Sequence, residues 1–385
     1  MKPQLWLGAP APGGLALPAA NPTPSQFYGP RGVFLNDELL IVADSGNHRV
    51  LIWSQPPTQS HQPADIVLGQ PDFYTEGPNR HRTNILKGFF LPTSVAVFNH
   101  RLFVADAWNH RILVWNSVPT VSDTAPDFAI GQPDLSSGEP NQGEAVSAST
   151  LYWPYGIAFI EQNFYAADTG NRRVLVWRGL PTCNQPADIV LGQDDFNQNG
   201  ENRNVGVGPS SFRWPHALAG NADILYVADA GNHRILGWYP PLPRDRPADF
   251  VLGQPRFDSA TEFPYAKQSA EKLRFPYDIA CNNQIVAVSD SANNRILLWK
   301  APLQRSCGAA ATAVLGQPDF ALNGENHWKE VNEKTLCWPY GISLHRSALA
   351  VADSGNNRVM IWDLSEMLNF ELEKLTAEQR SLICV

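Results

Sequence analysis

The chain has little charge and none of the common catalytic motifs. Only 17% of its 385 residues are charged, and the formal net charge is −8. Because neutralising phosphates drives generic nucleic-acid binding, this acidic balance argues against nucleic acid as a partner. The sequence contains no P-loop and no G-x-S-x-G, H-E-x-x-H or EF-hand motif, so no signature of an enzyme class stands out.

Cysteine and long apolar segments are also scarce. The five cysteines are Cys183, Cys281, Cys307, Cys337 and Cys384. Their number is odd, their spacing is irregular and no C-x-x-C motif occurs. Neither a disulfide framework nor a zinc ribbon is indicated, and we expect a reducing, cytoplasmic location. No run of about 18 apolar residues exists, so we predict no membrane association. Prolines interrupt the apolar N-terminal stretch, which argues against a cleaved signal.

What the sequence has in abundance is turn-forming residues, with 32 Pro and 28 Gly, arranged in a repeat. The turn D-x-x-N-x-R recurs every 61 to 63 residues, beginning at Asp44, Asp106, Asp168, Asp229, Asp290 and Asp353. A proline lies 14 residues before each Asp and a tryptophan nine residues after it. An [LI]-G-Q motif follows five of the six copies. Four markers in fixed phase over nearly the whole chain define six repeats of one unit.

Each unit contains four short apolar segments separated by turns. In the second unit these are Ser94–Phe98, Leu102–Ala105, Arg111–Trp115 and Asp127–Gly131. Several are apolar on both faces, as expected for sheets packed between two neighbours. Four strands per unit, repeated radially, predict an all-β, six-bladed propeller with four-stranded antiparallel blades.

The two ends of the chain predict how the ring closes. The last repeat ends at Trp362 with only three strands, whereas Leu5–Gly8 matches a fourth strand and precedes the first repeat. We therefore expect the N-terminal strand to complete the sixth blade, which removes two exposed edges. The predicted propeller covers residues 1–362. Residues 363–385 have apolar residues at three- to four-residue spacing and are predicted to form an amphipathic helical tail.

The turn Asp44–Arg49, after the strand Val42–Asp44, and the segment Pro154–Ala158 resemble the NHL-repeat family. The resemblance covers about residues 5–362 and implies the propeller fold. It leaves function open, because the family includes protein scaffolds, RNA binders and a few lyases.

The repeat itself separates structural residues from candidate functional ones. The six Asp–Arg turns and the six strand-end tryptophans recur in every unit, so we interpret them as structural. Linkers of 18 residues join the units, carry Gly- and Asn-rich stretches, and should share one face with the turns. His48, His110 and His233 occupy one turn position, where we expect solvated side chains rather than a shared zinc site.

The residue after each repeated proline varies while the fold stays constant. It begins the innermost strand and should face the axial channel. With Asp278, this set forms the predicted ligand-binding ring: Arg31, Thr93, Tyr155, His216, Tyr277, Asp278 and Tyr340. The residue before each repeated proline belongs to a mostly aromatic set that we call the collar: Gly29, Leu91, Trp153, Trp214, Phe275 and Trp338. A polar ring beside an aromatic collar is typical of a small-ligand pocket, and Arg31 favours an anionic ligand.

His216 is the best candidate for any proton transfer, and Asp278 on the neighbouring blade is expected to pair with it. The segment Pro215–Ala219 resembles propellers of the peptidylglycine amidating lyase type, which hold zinc through several histidines on inner strands. Only one ring position is a histidine here, so we predict no metal and no cofactor.

The favoured function is therefore a non-enzymatic propeller, cytoplasmic and monomeric. It is expected to bind a protein partner or a small ligand through the loop-bearing face and the channel mouth. The alternative is a lyase or hydrolase with its active site at that mouth.

Overall fold

The computed structural model describes residues 1, 3–9, 21–240, 246–262, 267–301 and 307–367. Within them, 24 strands form six antiparallel sheets of four strands each. The predicted six-bladed β-propeller is confirmed.

The first three blades follow the chain in order, and each sheet runs from the innermost to the outermost strand. Blade one consists of β2 (Gly32–Leu35), β3 (Leu40–Asp44), β4 (Arg49–Trp53) and β5 (Ile66–Leu68). Blade two consists of β6 (Pro92–Phe98), β7 (Arg101–Asp106), β8 (Arg111–Trp115) and β9 (Phe128–Ile130). Blade three consists of β10 (Pro154–Ile160), β11 (Asn163–Asp168), β12 (Arg173–Trp177) and β13 (Ile189–Leu191).

The next two blades repeat the plan, and the last blade takes its outer strand from the N-terminus. Blade four consists of β14 (Pro215–Asn221), β15 (Ile224–Asp229), β16 (Arg234–Trp238) and β17 (Phe250–Leu252). Blade five consists of β18 (Pro276–Cys281), β19 (Ile285–Asp290), β20 (Arg295–Lys300) and β21 (Ala313–Leu315). Blade six consists of β22 (Pro339–His345), β23 (Ala348–Asp353), β24 (Arg358–Asp363) and β1 (Pro3–Gly8).

Strand β1 closes the ring in the predicted way. It pairs antiparallel with β24, with Leu5 opposite Ile361 and Leu7 opposite Val359. Leu7 is fully buried, and it packs in one core cluster with residues of blades one and six. Strand β24 is thereby paired on both sides, with β23 and with β1, at the point where the two ends of the ring meet.

The helical segments are short. A 3-10 turn follows the second strand of each blade, at Ser45–Asn47, Ala107–Asn109, Thr169–Asn171, Ala230–Asn232, Ser291–Asn293 and Ser354–Asn356. The linkers contain short turns at Asn79–Arg82, Pro140–Gly143, Glu201–Asn204 and Glu325–Trp328, and the central residues of each have positive φ, so these turns are left-handed. None of the helices in the described part of the chain is long and apolar enough to cross a membrane.

The core lies between the blades. Each of six buried clusters draws its residues from two adjacent sheets. Trp53, Trp115, Trp177, Trp238, Trp299 and Trp362 are all at most 2% exposed. In Trp53 the indole Nε1–H donates to the Gln62 carbonyl 3.0 Å away, so the polar atom of a buried ring is satisfied. Truncating one such tryptophan is expected to cost about 3–5 kcal/mol.

The D-x-x-N-x-R turn is a buried hydrogen-bond network. In blade three, Asp168 Oδ2 accepts bonds from Asn171 Nδ2 at 2.8 Å and from Arg173 Nε at 2.7 Å. The guanidinium of Arg173 also donates to the carbonyls of Phe196 and Thr150, which tie the flanking loops to the turn. Burial raises the pKa of Asp168, and the charge of Arg173 opposes that rise. The same Asp–Arg pair is fully buried in every blade.

The linkers are anchored to these turns. Asn141, in the linker before blade three, exchanges side-chain hydrogen bonds with Asn171 in the turn of that blade, at 3.1 and 2.8 Å. Asn79 and Asn109 make the same reciprocal pair one blade earlier. Turns and linkers therefore share one face of the disc, as predicted, and we call it the linker face. The opposite side, formed by the hairpins between first and second strands, is the hairpin face.

The predicted tail helix falls mainly on residues 368–385, which lie outside the described residues. Before that point, Leu364 is buried and Met367 packs against the cluster between blades five and six.

Candidate functional site

The innermost strands are so close together at the axis that some positions accept only glycine. A Cβ placed on Gly341 of blade six would lie 2.2 Å from the carbonyl oxygen of Arg31 in blade one. A Cβ on Gly156 would lie 2.4 Å from the carbonyl oxygen of His216. Both glycines directly follow a ring residue, so close backbone contact fixes the ring side chains around the axis.

A β-bulge sets the direction of the ring side chains. In blades two to six the pairing of the first two strands shifts immediately after the repeated proline. The ring residue falls within that irregularity, where a bulge re-aims a side chain. All seven residues of the predicted ring line one axial cavity of about 220 Å³: Arg31, Thr93, Tyr155, His216, Tyr277, Asp278 and Tyr340.

Four aromatic rings and one guanidinium form a stacked arc around this mouth. Tyr155 and His216 have ring centroids 4.4 Å apart, and His216 stacks on Tyr277 at 4.6 Å with planes 14° apart. Tyr277 and Tyr340 follow at 4.6 Å, and Arg31 Cζ lies 4.8 Å from the Tyr340 centroid. The arc therefore runs without interruption from blade three through blade six to blade one.

Blade two leaves a gap in the arc. Its ring residue is Thr93, which is small and only 7% exposed. The Thr93 hydroxyl donates to the carbonyl oxygen of Tyr155 at 2.9 Å, so this side chain ties blade two to blade three. The gap lies between Arg31 on one side and Tyr155 on the other.

Arg31 dominates the charge of the ring. Burial, and then the nearby positive charge of Arg31, lower the pKa of His216 to about 3. His216 is therefore neutral at physiological pH. Burial also raises the pKa values of Tyr277 and Tyr340, which keeps both hydroxyls protonated. Among the ring side chains at the mouth, Arg31 is the one that carries a positive charge at neutral pH.

The expected pairing of Asp278 with His216 is wrong. The Asp278 carboxylate accepts the backbone N–H of Ile279 at 2.8 Å and that of Ile342, in blade six, at 2.7 Å. Ile342 lies at the end of the bulge in blade six, where the pairing of β22 with β23 resumes. Burial raises the pKa of Asp278 to about 7, against the opposing effect of these two bonds. Asp278 thus joins blades five and six, in the same way that Thr93 joins blades two and three.

The aromatic collar surrounds the ring on the linker face. Trp153 and Trp214 are both 37% exposed and Trp338 is 40% exposed. Within the collar, Trp214 stacks on Phe275 with ring centroids 6.4 Å apart. Trp153 stacks on Trp108, a residue of the turn in blade two, with ring centroids 6.2 Å apart. The mouth of the channel is therefore rimmed by accessible indole rings.

The backbone of the collar is held in an unusual conformation. Gly29, Leu91, Trp153, Phe275 and Trp338 have φ between 46° and 57°, in the left-handed region. Non-glycine residues adopt this region only when the surroundings over-determine it. Here the constraint is a hydrogen bond from the collar amide to the turn of the preceding blade.

The three turn histidines make these bonds, so the prediction that they are solvated is wrong. Each presents Nδ1 as an acceptor to the collar amide of the next blade: Leu91 N to His48 at 3.1 Å, Trp153 N to His110 at 3.2 Å, and Phe275 N to His233 at 3.3 Å. Burial lowers the pKa values of His48 and His110 to about 4 and also lowers that of His233. A neutral imidazole is what an accepting Nδ1 requires.

Asparagine performs the same role where histidine is missing. Trp338 N donates to Asn294 Oδ1, and Gly29 N donates to Asn357 Oδ1, both at 2.8 Å. In blade three the turn position is Arg172, which has no acceptor atom. The collar residue that follows it, Trp214, does not share the positive φ of the others. We call these cross-blade bonds the collar staples.

Sequence reasoning missed the staples although a signal was present. The turn position contains histidine or asparagine in five of six units. Nδ1 of histidine and Oδ1 of asparagine are both short-range acceptors, and both residue types tolerate φ above zero. These shared properties of histidine and asparagine, rather than the metal affinity of histidine, indicate the role of the turn position.

The sequence profile of the NHL repeat matches residues 27–53, which include the first three strands of blade one. This chain carries an NHL repeat. The resemblance proposed from the turn and strand motifs is thus confirmed, and no curated protein matches the chain.

Solved structures with a similar fold have low sequence identity. A nidogen–laminin complex matches at 13% identity, over 82% of this chain and 84% of that one, with a TM-score of 0.44. The structure of U3-55K matches at 14% identity over 90% and 82%, with a TM-score of 0.47. A virginiamycin B lyase from Staphylococcus aureus matches at 9% identity over 88% and 97%, with a TM-score of 0.43. These values are too low to transfer any function.

Proposed function

We propose that this chain is a non-enzymatic binding propeller, and that its linker face and channel mouth receive a protein partner or a small ligand. The observation that carries the proposal is the distribution of exposed apolar side chains. Exposed apolar groups gathered on one surface are typical of interaction sites, whereas isolated ones are ordinary.

Twelve large apolar side chains are exposed in the described part of the chain, and ten of them belong to linkers, turns or the collar. These ten are Tyr28, Tyr74, Leu86, Trp108, Trp153, Val205, Trp214, Leu322, Trp328 and Trp338. The remaining two are Met1 and Val121. The bias toward aromatic residues matters, because tryptophan and tyrosine are enriched among the few residues that dominate the binding energy of protein interfaces.

The organisation of the face also supports binding to a rigid surface. Linkers are fixed to turns by asparagine pairs, and five collar amides are fixed by staples. A partner that docks on such a surface orders few new groups, and less of its interaction energy is lost to conformational entropy.

The alternative is a lyase or hydrolase at the same mouth, and it requires a proton-transferring pair. His216 is the best candidate acid or base, but its neighbours Tyr155 and Tyr277 stack on its faces. Asp278, the nearest expected carboxylate partner, is engaged by two backbone amides. These contacts favour binding over catalysis as the use of the site.

We further propose a cytoplasmic location. The four cysteines in the described residues are free thiols, with Cys183 and Cys307 exposed, which suits a reducing compartment.

The test is partner capture with immobilised wild-type protein and a double variant, Trp153→Ala with Trp338→Ala. Val121→Ala, which truncates a 67% exposed apolar side chain outside the linkers, turns and collar, is the control. Loss of the same captured protein in the double variant but not in the control supports the proposal. Equal capture by all three proteins, each with an unchanged melting temperature, contradicts it.

A further inference from the structure

Arg31 is a cation without a partner at the mouth of the channel. Its guanidinium stacks on Tyr340 but makes no hydrogen bond or ion pair to any described residue. The six turn arginines behave differently, since each is fully buried and paired with an aspartate. An arginine that is half-buried, held by stacking and free at its N–H groups is poised to receive an external acceptor.

The collar is open directly beside Arg31. Every blade except the first places a side chain of at least leucine size at the collar position, whereas blade one has Gly29. A Cβ on Gly29 would have one neighbour within 4 Å, Ser354 Oγ at 3.7 Å, so space surrounds this position. The missing collar side chain and the gap at Thr93 lie next to one another, on blades one and two.

We propose that Arg31 binds the carboxylate of a ligand that enters past Gly29 and places a flat apolar group against the neighbouring collar indoles. This inference rests on the proposed binding function and names the chemistry of one ligand at that site. The carboxylate belongs either to a small free acid or to the C-terminus of a peptide.

The geometry favours a carboxylate over a phosphate. A guanidinium presents two parallel N–H donors that match the two oxygens of one carboxylate. A phosphate dianion carries more charge and is usually met by several cations. Here His216 remains neutral, and Asp278 adds negative charge to the cavity when it ionises. The single positive charge of the ring therefore suits a monoanion.

The apolar part of the ligand follows from the collar. Trp338 on blade six flanks the opening, and Trp153 on blade three lies beyond Leu91 on its other side; each indole exposes more than a third of its surface. Below the ring, the residues that line the cavity include the partly exposed apolar side chains of Phe34, Ala96 and Ala158. An aromatic monocarboxylate satisfies both the cation and these apolar surfaces.

The experiment uses isothermal titration of the purified full chain with N-acetyltryptophan and with N-acetyltryptophanamide, which differs in lacking the carboxylate. We expect the acid to bind about tenfold or more tightly than the amide, since a charge-assisted bond to arginine is lost in the latter. Inorganic phosphate is the probe for a general anion site and is expected to bind more weakly than the acid. A hexapeptide ending in a free Trp carboxylate, compared with N-acetyltryptophan, distinguishes a chain terminus from a small acid.

Three variants locate the site. Arg31→Gln is expected to remove the preference for acid over amide, while Arg178→Gln, an exposed arginine following strand β12, is the charge-matched control. Gly29→Trp completes the collar without touching Arg31, and is expected to weaken acid binding about tenfold or more by covering the entrance. The repeat itself shows that tryptophan tolerates this backbone, since Trp153 and Trp338 have φ of 50° and 46°.

Equal affinity for acid and amide, or unchanged acid binding in Arg31→Gln, overturns the inference. Unchanged binding in a folded Gly29→Trp variant overturns the entrance past Gly29. A different result contradicts the proposed protein-binding function, namely unchanged partner capture by the Trp153 and Trp338 double variant. The two failures are therefore distinguishable.

Discussion

The histidine collar staples are expected to make the free energy of unfolding depend on pH. Replacing these histidines with asparagine should abolish that dependence. His48, His110 and His233 each accept a collar amide through Nδ1, and protonation removes that acceptor. Asn294 and Asn357 accept the same bond without any titration, at the shorter distance of 2.8 Å. The decisive perturbation is the triple variant His48→Asn, His110→Asn, His233→Asn.

The magnitude follows from the pKa values. Those of His48 and His110 fall from 6.5 to about 4 on folding. Above pH 6.5 both states are neutral and the full stability is present. As the pH falls from 6.5 toward 4, the unfolded chain takes up protons that the folded state refuses, and stability is lost. At pH 5 the loss is about 2 kcal/mol per histidine, or about 1 kcal/mol after allowance for solvent screening. His233, whose pKa is also lowered, contributes in the same direction.

The assay is thermal and urea denaturation of wild type and triple variant at pH 7.5 and pH 5. At pH 7.5 we expect the two proteins to agree within about 1 kcal/mol, because asparagine replaces one net hydrogen bond with another. At pH 5 the variant should be more stable by about 2–4 kcal/mol. For 385 residues the unfolding entropy is about 0.8 kcal/mol/K, so its melting temperature should be about 3–5 °C higher.

His100→Asn provides the control. His100 also has a positive φ, of 62°, but lies exposed in a hairpin on the opposite face. Its replacement should leave the pH dependence unchanged. If wild type and triple variant lose stability in parallel between pH 7.5 and pH 5, the staples do not carry the titration and the reasoning is refuted.

Three further predictions concern the scaffold. Deleting residues 1–8 removes strand β1 and leaves β24 with an open edge, so we expect a large drop in melting temperature or in soluble yield; an unchanged melt would contradict the closure. Asp168→Ala leaves the buried Arg173 unpaired and should cost about 3–5 kcal/mol in urea denaturation, with Asp195→Ala, on an exposed loop, near neutral. Gly341→Ala brings a Cβ against the Arg31 carbonyl, and a melting temperature within 1 °C or so of wild type would show that the axis is not closely packed.

The sequence correctly predicts the features that are encoded within one repeat unit and recur in every unit. Blade number and strand order follow from markers in fixed phase, because each blade contains the whole pattern. Ring closure follows from one segment, Leu5–Gly8, that matches a strand of the repeat but stands outside the six units. Patterns of this kind need no knowledge of neighbouring blades.

The errors concern contacts between blades. The predicted pairing of Asp278 with His216 is wrong because the carboxylate accepts one backbone amide of its own blade and one of blade six. The prediction of solvated turn histidines is wrong because each imidazole accepts a hydrogen bond from a backbone amide about 43 residues later in the chain, on another sheet. Side-chain packing and β-bulges determine how neighbouring sheets are positioned relative to one another. The repeat pattern in the sequence carries no information about that relative position.

The closure of the ring by β1 has a consequence for how the protein is made. Leu5 pairs with Ile361, so the sixth sheet joins segments more than 350 residues apart in the chain. At about 5–20 residues per second, a ribosome takes roughly 20–70 s to synthesise the segment between them. During that interval the first strand has left the ribosome but its partner does not exist. The nascent chain therefore carries an unpaired first strand while the intervening blades are synthesised, and the ring can close only after its last blade has been synthesised.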